Sequence, residues 1–226
     1  MFLRENSSRA KNAIALIYIV MIVDFFSIIS SCLQYNLLND FVNDFYISDA
    51  EINTNDQRES FIGYLYFIVY AISIYFFISW FRRAYFNLHT LVKNCTFSEG
   101  WAAGAWFVPI INLGRPMRIM QELYSKSIAL LLQNQIKFEN KRTFVGVWWT
   151  LWLLFNIISN IANRLQLQTE SVERLMDITL LQIVSNILFI ICGFFAIKVI
   201  KDYAEIETAL QRIKLNKSEN KESIIG

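Results

Sequence analysis

Residues 61–81 read FIGYLYFIVYAISIYFFISWF, an apolar run with neither a charge nor a proline. Wound as an α-helix at about 1.5 Å per residue, it reaches about 30 Å, the thickness of the hydrocarbon core of a bilayer. A helix apolar on every side has no face to turn to water, so lipid is the solvent that suits it. Three more windows share this character: Ala13 to Leu33, Thr143 to Asn163, and Ile178 to Ile197. Asp24 is the one charged residue within any of the four, and none contains proline.

Composition agrees. The chain is 55% hydrophobic and 18% charged, against about 25% charged in soluble globular proteins. Phe occurs 19 times, while Gly (7) and Pro (2) are scarce, which favours long uninterrupted helices over turn-rich strands. The net charge of +2 is too small for a nucleic-acid partner. The expected fold is an all-α polytopic membrane protein with four transmembrane helices, one domain over 1–213, no internal repeat, and a disordered polar tail at 214–226. The lipid bilayer is its first partner.

Lys and Arg near span ends are retained on the cytoplasmic side. The leader carries Arg4, Arg9 and Lys11, whereas residues 34–60 carry Arg58 against six acids. From 82 to 142 there are nine basic and three acidic residues, from 164 to 177 two and three, and the tail from Lys198 has six basic residues. This alternation places both termini in the cytoplasm. The first window is longer than the apolar core of a signal peptide, about 7 to 15 residues, so it reads as a retained span. Ile29-Ser30-Ser31-Cys32 offers the alternative of a relaxed lipoprotein cleavage box.

No Gly or Pro occurs between Tyr64 and Glu99, and Phe81, Tyr85, Leu88 and Leu91 or Val92 continue at helical spacing, so the second helix is expected to project past His89. Pro116 to about Asn134 predicts an amphipathic helix striped by Met120, Leu123, Tyr124, Ser127 and Leu131, with Arg118, Gln121, Glu122, Ser125 and Lys126 on its polar face. It would lie on the inner leaflet or against the projecting second helix. Between them, Trp101 to Leu113 is apolar but, at about 20 Å as a helix, too short to cross. The segment is expected to be re-entrant or interfacial, with Trp101 and Trp106 at headgroup level.

The residues Arg83-Ala84-Tyr85-Phe86-Asn87-Leu88, then Gly100-Trp101, then Trp106-Phe107-Val108-Pro109-Ile110-Ile111-Asn112-Leu113, with Pro116 and Glu122 after them, resemble the domain of unknown function 4328 family of bacterial membrane proteins. The resemblance implies a bacterial inner-membrane location and carries no chemistry. Glu99 and Gly114 depart from the family pattern. The motif segment comprises Arg83, Asn87, Trp101, Trp106, Pro109, Asn112, Pro116 and Glu122. It is either a cap closing the mouth of the bundle or a lid or docking element for a protein partner at the cytoplasmic connection.

Asp24 lies about 17 Å into the first span. An acid at that depth costs about 2.5 to 3.5 kcal/mol on insertion scales, so it is expected to face the bundle. Depth arithmetic brings Tyr70, Asn156 and Asn186 to a similar level. Asp24, Ser27 and Ser31 share a helix face, as do Asn156, Asn160 and Asn163, and Gln182 with Asn186. Such a cluster serves either as interhelical glue or as a proton or cation site. Cys32, Cys95 and Cys192 are scattered, read as small core residues, and His89 is the single histidine. No catalytic set, metal site or cofactor follows. The expected role is a non-enzymatic scaffold, sensor or accessory subunit, the alternative a small transporter or channel subunit using the Asp24 cluster.

Overall fold

The computed structural model describes residues 3–138, 143–168 and 171–225, with side chains described through Leu215. Every regular element among them is helical: α1 Ser7–Val42, α2 Asp49–Leu91, α3 Trp101–Gly104, α4 Arg115–Gln133, α5 Thr143–Gln166 and α6 Val172–Ile225, with a 3-10 turn at Ile111–Leu113. α1, α2, α5 and α6 are the four helices long and apolar enough to cross a membrane. The chain is an all-α membrane protein.

Local chemistry sets the helix ends. α2 opens on a capping box in which the Glu51 N–H donates to Ser48 Oγ at 3.3 Å and the Ser48 N–H donates back to Glu51 Oε2 at 2.8 Å. α1 closes in a Schellman motif, with Asp44 at φ 60°, Phe45 N–H on the Asp40 carbonyl at 3.0 Å and Asp44 N–H on Phe41 at 3.3 Å. α4 closes the same way at Gln135, φ 60°. Pro116 stands in the first turn of α4, where its missing N–H costs nothing.

Three details go beyond the sequence reading. Residues 34–60 form a connection of only 43–48 between helices, because helix-forming polar residues extend α1 and the Ser48 cap starts α2 early. Cys32 is exposed and Cys95 half-buried, leaving Cys192 as the one buried cysteine; Ser30 and Ser31 take the inward positions on that turn. α6 carries helical backbone through Ile225, and its polar end from Lys214 to Ile225 contains neither Gly nor Pro.

The chain forms two compact units, a finer partition than one domain over 1–213. The terminal unit comprises 1–14, 74–147 and 195–226, and the mid-helix unit 15–73 and 148–194. In the mid-helix unit Val20, Phe155 and Phe189 are buried together, with Tyr66, Val69 and Tyr70 against them. Tyr66 and Tyr70 stack at 5.5 Å, and Phe155 meets Phe189 at 4.7 Å. Outside this core, Phe25, Phe26, Phe61, Tyr64, Phe67, Ile68, Ile157 and Val184 are exposed, the apolar coat that lipid requires. In the terminal unit Trp80, Phe81, Tyr85, Leu88, Ile119, Met120, Leu123, Tyr124, Leu131, Ile200 and Tyr203 are all but fully buried. The whole apolar stripe expected on α4 is therefore inside, and α4 packs through Tyr85 of α2 and Tyr203 of α6.

Gly193 marks a close approach of α6 to α1, since a Cβ there would stand 2.8 Å from Met21 Sδ and 2.9 Å from its Cγ. Because the obstacle is a flexible thioether, Gly193→Ala should be nearly neutral, while Gly193→Ile should cost about 1–3 kcal/mol by overpacking. Thermal melts in detergent should show Met21→Ala recovering most of the loss in the Gly193→Ile background; no recovery would mean that Met21 is not what crowds the site.

Candidate functional sites

The motif residues of the terminal unit fall into three groups. Asn87, buried at the middle of the α2 projection, behaves like a strand edge toward the N-terminal segment: its Oδ1 accepts the Arg4 N–H at 3.0 Å and its Nδ2 donates to the Arg4 carbonyl at 2.8 Å. The same Nδ2 donates to Glu207, whose other oxygen accepts from Asn6 Nδ2 at 2.9 Å. Asn6 also donates to the Trp80 carbonyl at 3.4 Å. The amino terminus, α2 and α6 are thus tied by two amides and one carboxylate.

Glu122 is the centre of the second group. Although helical periodicity put it on the polar face of α4, it is buried, because its partners lie on the α2 projection and the strand of chain after it. Oε2 accepts from Tyr85 Oη at 2.7 Å, and Oε1 accepts from the Thr96 N–H and Oγ1, each at 2.7 Å. Lys126 Nζ completes the set at 2.6 Å and also donates to the Asn94 carbonyl. Burial alone would push the Glu122 carboxyl up, but Lys126, Tyr85 and Thr96 together outweigh it and hold it down at about 2. Nearby, Tyr124 Oη donates to the Val199 carbonyl at 2.8 Å, and Ser127 and Tyr203 share a hydrogen bond at 3.2 Å.

The third group is the Trp/Pro segment. It is neither one helix nor an extended loop: α3 gives a single turn, irregular backbone follows, and the 3-10 turn leads into α4. Arg115 lies over the Trp101 ring at 4.1 Å, and Trp106 meets Phe77 and Phe81 edge-on at 5.5 Å and 6.2 Å. Pro116 is buried, Asn112 half-buried and Pro109 exposed. Arg83 is half-buried with Arg4, Arg9 and Arg82 within electrostatic reach, and Arg82 pairs with Glu99 at 3.4 Å.

In the mid-helix unit a cleft of about 600 Å³ is lined by Tyr70, Asn156 and Asn186, joined by Ser27, Ser31, Gln34, Glu59, Asn160, Asn163 and Gln182. Asp24 does not line it. It is fully buried, and neither carboxylate oxygen has a hydrogen-bond partner among the described residues. Tyr66 and Tyr70 are within its electrostatic reach. Across the helices, Asn186 Nδ2 donates to Ser27 Oγ at 3.0 Å and Gln34 Nε2 to Thr179 Oγ1 at 3.0 Å. Asn156 and Asn160 instead turn their Nδ2 groups back to the Trp152 and Asn156 carbonyls of their own helix, both at 2.7 Å. Sequence reasoning missed Glu207 and the Ser30, Arg58 and Glu59 knot, in which Arg58 Nε and Glu59 both bond Ser30 Oγ. An acid on the apolar stripe Ile200, Tyr203, Ile206 and Leu210 was the available signal for Glu207.

A depressed carboxyl stabilises the fold above its unfolded value of about 4.3 and loses that contribution as pH falls toward its folded one. Glu122→Gln should therefore lower stability by roughly 1–3 kcal/mol at neutral pH, with the gap to wild type closing between about pH 4.3 and pH 2. Melting temperatures of the two proteins across that range test it, and a pH-independent gap would refute the ionised hub.

The sequence matches the family described as Domain of unknown function (DUF4328) over residues 43–205. That range holds Tyr70, Asn156, Asn186 and every motif residue, and leaves Asp24, Asn6 and Glu207 outside. No curated protein and no solved structure matches the chain. With the match covering most of its length, from the start of α2 well into α6, the chain belongs to the domain of unknown function 4328 family.

Proposed function

We propose that this is a non-enzymatic protein of the bacterial cytoplasmic membrane, a scaffold, sensor or accessory subunit, with both termini cytoplasmic and the terminal unit as its working face. The observation that carries this reading is the Glu122 hub. A carboxylate that accepts from Tyr85, Thr96 and Lys126 at once is held ionised and occupied, and its energy goes into fixing backbone, which suits a rigid platform for a protein partner. Glu207, bonded by Asn6 and Asn87, is spent in the same way. Excess Lys and Arg beside the terminal unit support the orientation.

A second reading, a small transporter or channel subunit, is favoured by two separate features of the mid-helix unit: the polar cleft of about 600 Å³, and Asp24, buried outside its lining with no hydrogen bond among the described residues.

Full-length protein in liposomes under an imposed pH gradient separates the two. The scaffold reading expects no proton or cation flux above empty liposomes, and unchanged behaviour in Asp24→Asn. Flux abolished by Asp24→Asn in a variant that still folds would transfer the assignment to transport. In intact cells, an impermeant maleimide should label Tyr46→Cys, in the exposed connection between α1 and α2, while a carboxy-terminal tag should resist external protease until lysis. A tag cleaved from outside would overturn the orientation.

A further inference from the structure

The tip of the Trp/Pro segment is an apolar surface that the terminal unit leaves bare. Phe107, Val108, Pro109 and Ile110 are consecutive and exposed, Phe107 at 73% and Ile110 at 84%, with Leu113 exposed beside them. The root of the segment is fixed. Ala102 and Ala105 are fully buried, Arg115 caps Trp101, and the Trp106 indole N–H donates to the Ala102 carbonyl at 3.2 Å.

The tip is shaped as well as bare. Ile110 has φ 67° and ψ −46°, and the Ile111 N–H donates to the Pro109 carbonyl at 2.7 Å, which together make a γ-turn of the rare positive-φ kind. A β-branched residue there is strained, so a side chain is being held outward at a cost the fold sustains.

Two observations say what covers it. Trp106 packs on Phe77 and Phe81, the last turn of the apolar run 61–81, so the residue next to Trp106 starts at the level where that run ends. Arg82 and Arg83 follow at once in the sequence, with Arg4 and Arg9 within electrostatic reach of Arg83, a group of cations just past the end of the apolar run, where headgroups would be met. An apolar tip rooted on Phe77 and Phe81, with a group of arginines just past the end of the same apolar run, matches a leaflet that offers acyl chains to the one and anionic headgroups to the other.

We infer that Phe107 to Ile110, with Leu113, forms a wedge inserted into the lipid leaflet that adjoins the terminal unit, and that this leaflet supplies anionic headgroups to Arg82, Arg83, Arg4 and Arg9. The wedge is an interfacial anchor, too short to span and rooted in protein, which is how irregular backbone is tolerated at a membrane surface. It fixes the terminal unit against the bilayer independently of what that unit binds. The inference stands whether the protein proves to be a scaffold or a transporter.

The test uses the full chain in nanodiscs of phosphatidylcholine with and without phosphatidylglycerol. A cysteine-free background carries Ile110→Cys bearing an environment-sensitive fluorophore, with Thr208→Cys as the aqueous control and Phe67→Cys as the lipid control. Label at 110 should emit to the blue of label at 208, be quenched several-fold less by iodide, and be quenched by lipids spin-labelled near the headgroup. Phosphatidylglycerol should strengthen that protection. A label at 110 as accessible to iodide as the one at 208, or protected only when two copies share a disc, would overturn the inference, the latter by making the tip a contact between copies. Photoactivatable phosphatidylglycerol supplies a check on the unmodified protein: adducts are expected at 107–113, and their absence while adducts form along 61–76 would count against the wedge.

Discussion

A peptide group in hydrocarbon has no water to bond, so each N–H and carbonyl must find its partner inside the chain. That constraint shapes this protein more than any side-chain contact. It forces the four apolar runs into helices, and it sends the interruptions elsewhere. Both prolines and three of the glycines are gathered between Gly100 and Pro116. There the backbone turns through α3, a γ-turn and a 3-10 turn while protein covers its root. α1 and α4 close without help from glycine. Asp44 and Gln135 take the left-handed positions of their Schellman motifs, a role in which the short polar side chain of Asp is better suited than most.

Much of this was legible in the sequence, and for a physical reason: hydropathy reports solvent, and solvent decides the spans. The projection of α2 past His89 and the buried stripe of α4 followed from period alone. What escaped was whatever depends on a partner far away in the chain. Glu122 lies at the edge of the α4 stripe, and periodicity can assign it an angle but cannot foresee Tyr85 and Thr96 waiting there. Asn6 and Glu207 meet across 201 residues. The early start of α2 was legible in principle, since Ser48 and Glu51 have capping-box spacing, but the acidic run around them masked it.

The two units use polar groups differently. In the terminal unit the bonds are charge-assisted and convergent, with several donors on one carboxylate, so removing any member leaves others buried and unsatisfied. In the mid-helix unit Asn156 and Asn160 of α5 satisfy their donors on their own helix. Between helices run single bonds such as Asn186 to Ser27 and Ser159 to Ser185 at 2.5 Å, and the one convergent charged set is the Ser30, Arg58 and Glu59 knot between α1 and α2 among the described residues. Single bonds of that type contribute about 0.6 to 2 kcal/mol each in membranes. Rigidity therefore resides where the charges converge, at Glu122 and Glu207 in the terminal unit and at Arg58 in the mid-helix unit, which otherwise relies on aromatic packing around Phe189 and on its apolar coat.

Asp24 fits neither arrangement. Glue is made of bonds, and Asn186, Gln34 and Ser159 make them; Asp24, fully buried with both oxygens unbonded among the described residues, makes none. An acid that costs about 2.5 to 3.5 kcal/mol to place in a span and returns no hydrogen bond is a net expense to the fold. Its neighbours sharpen the point. Tyr66 and Tyr70 carry hydroxyls and lie close enough to feel its charge, yet their rings are committed to each other and to Phe189, at 5.6 Å from Tyr70. The polar cleft and the buried acid are therefore separate features of one unit, and stability accounts for the first without accounting for the second.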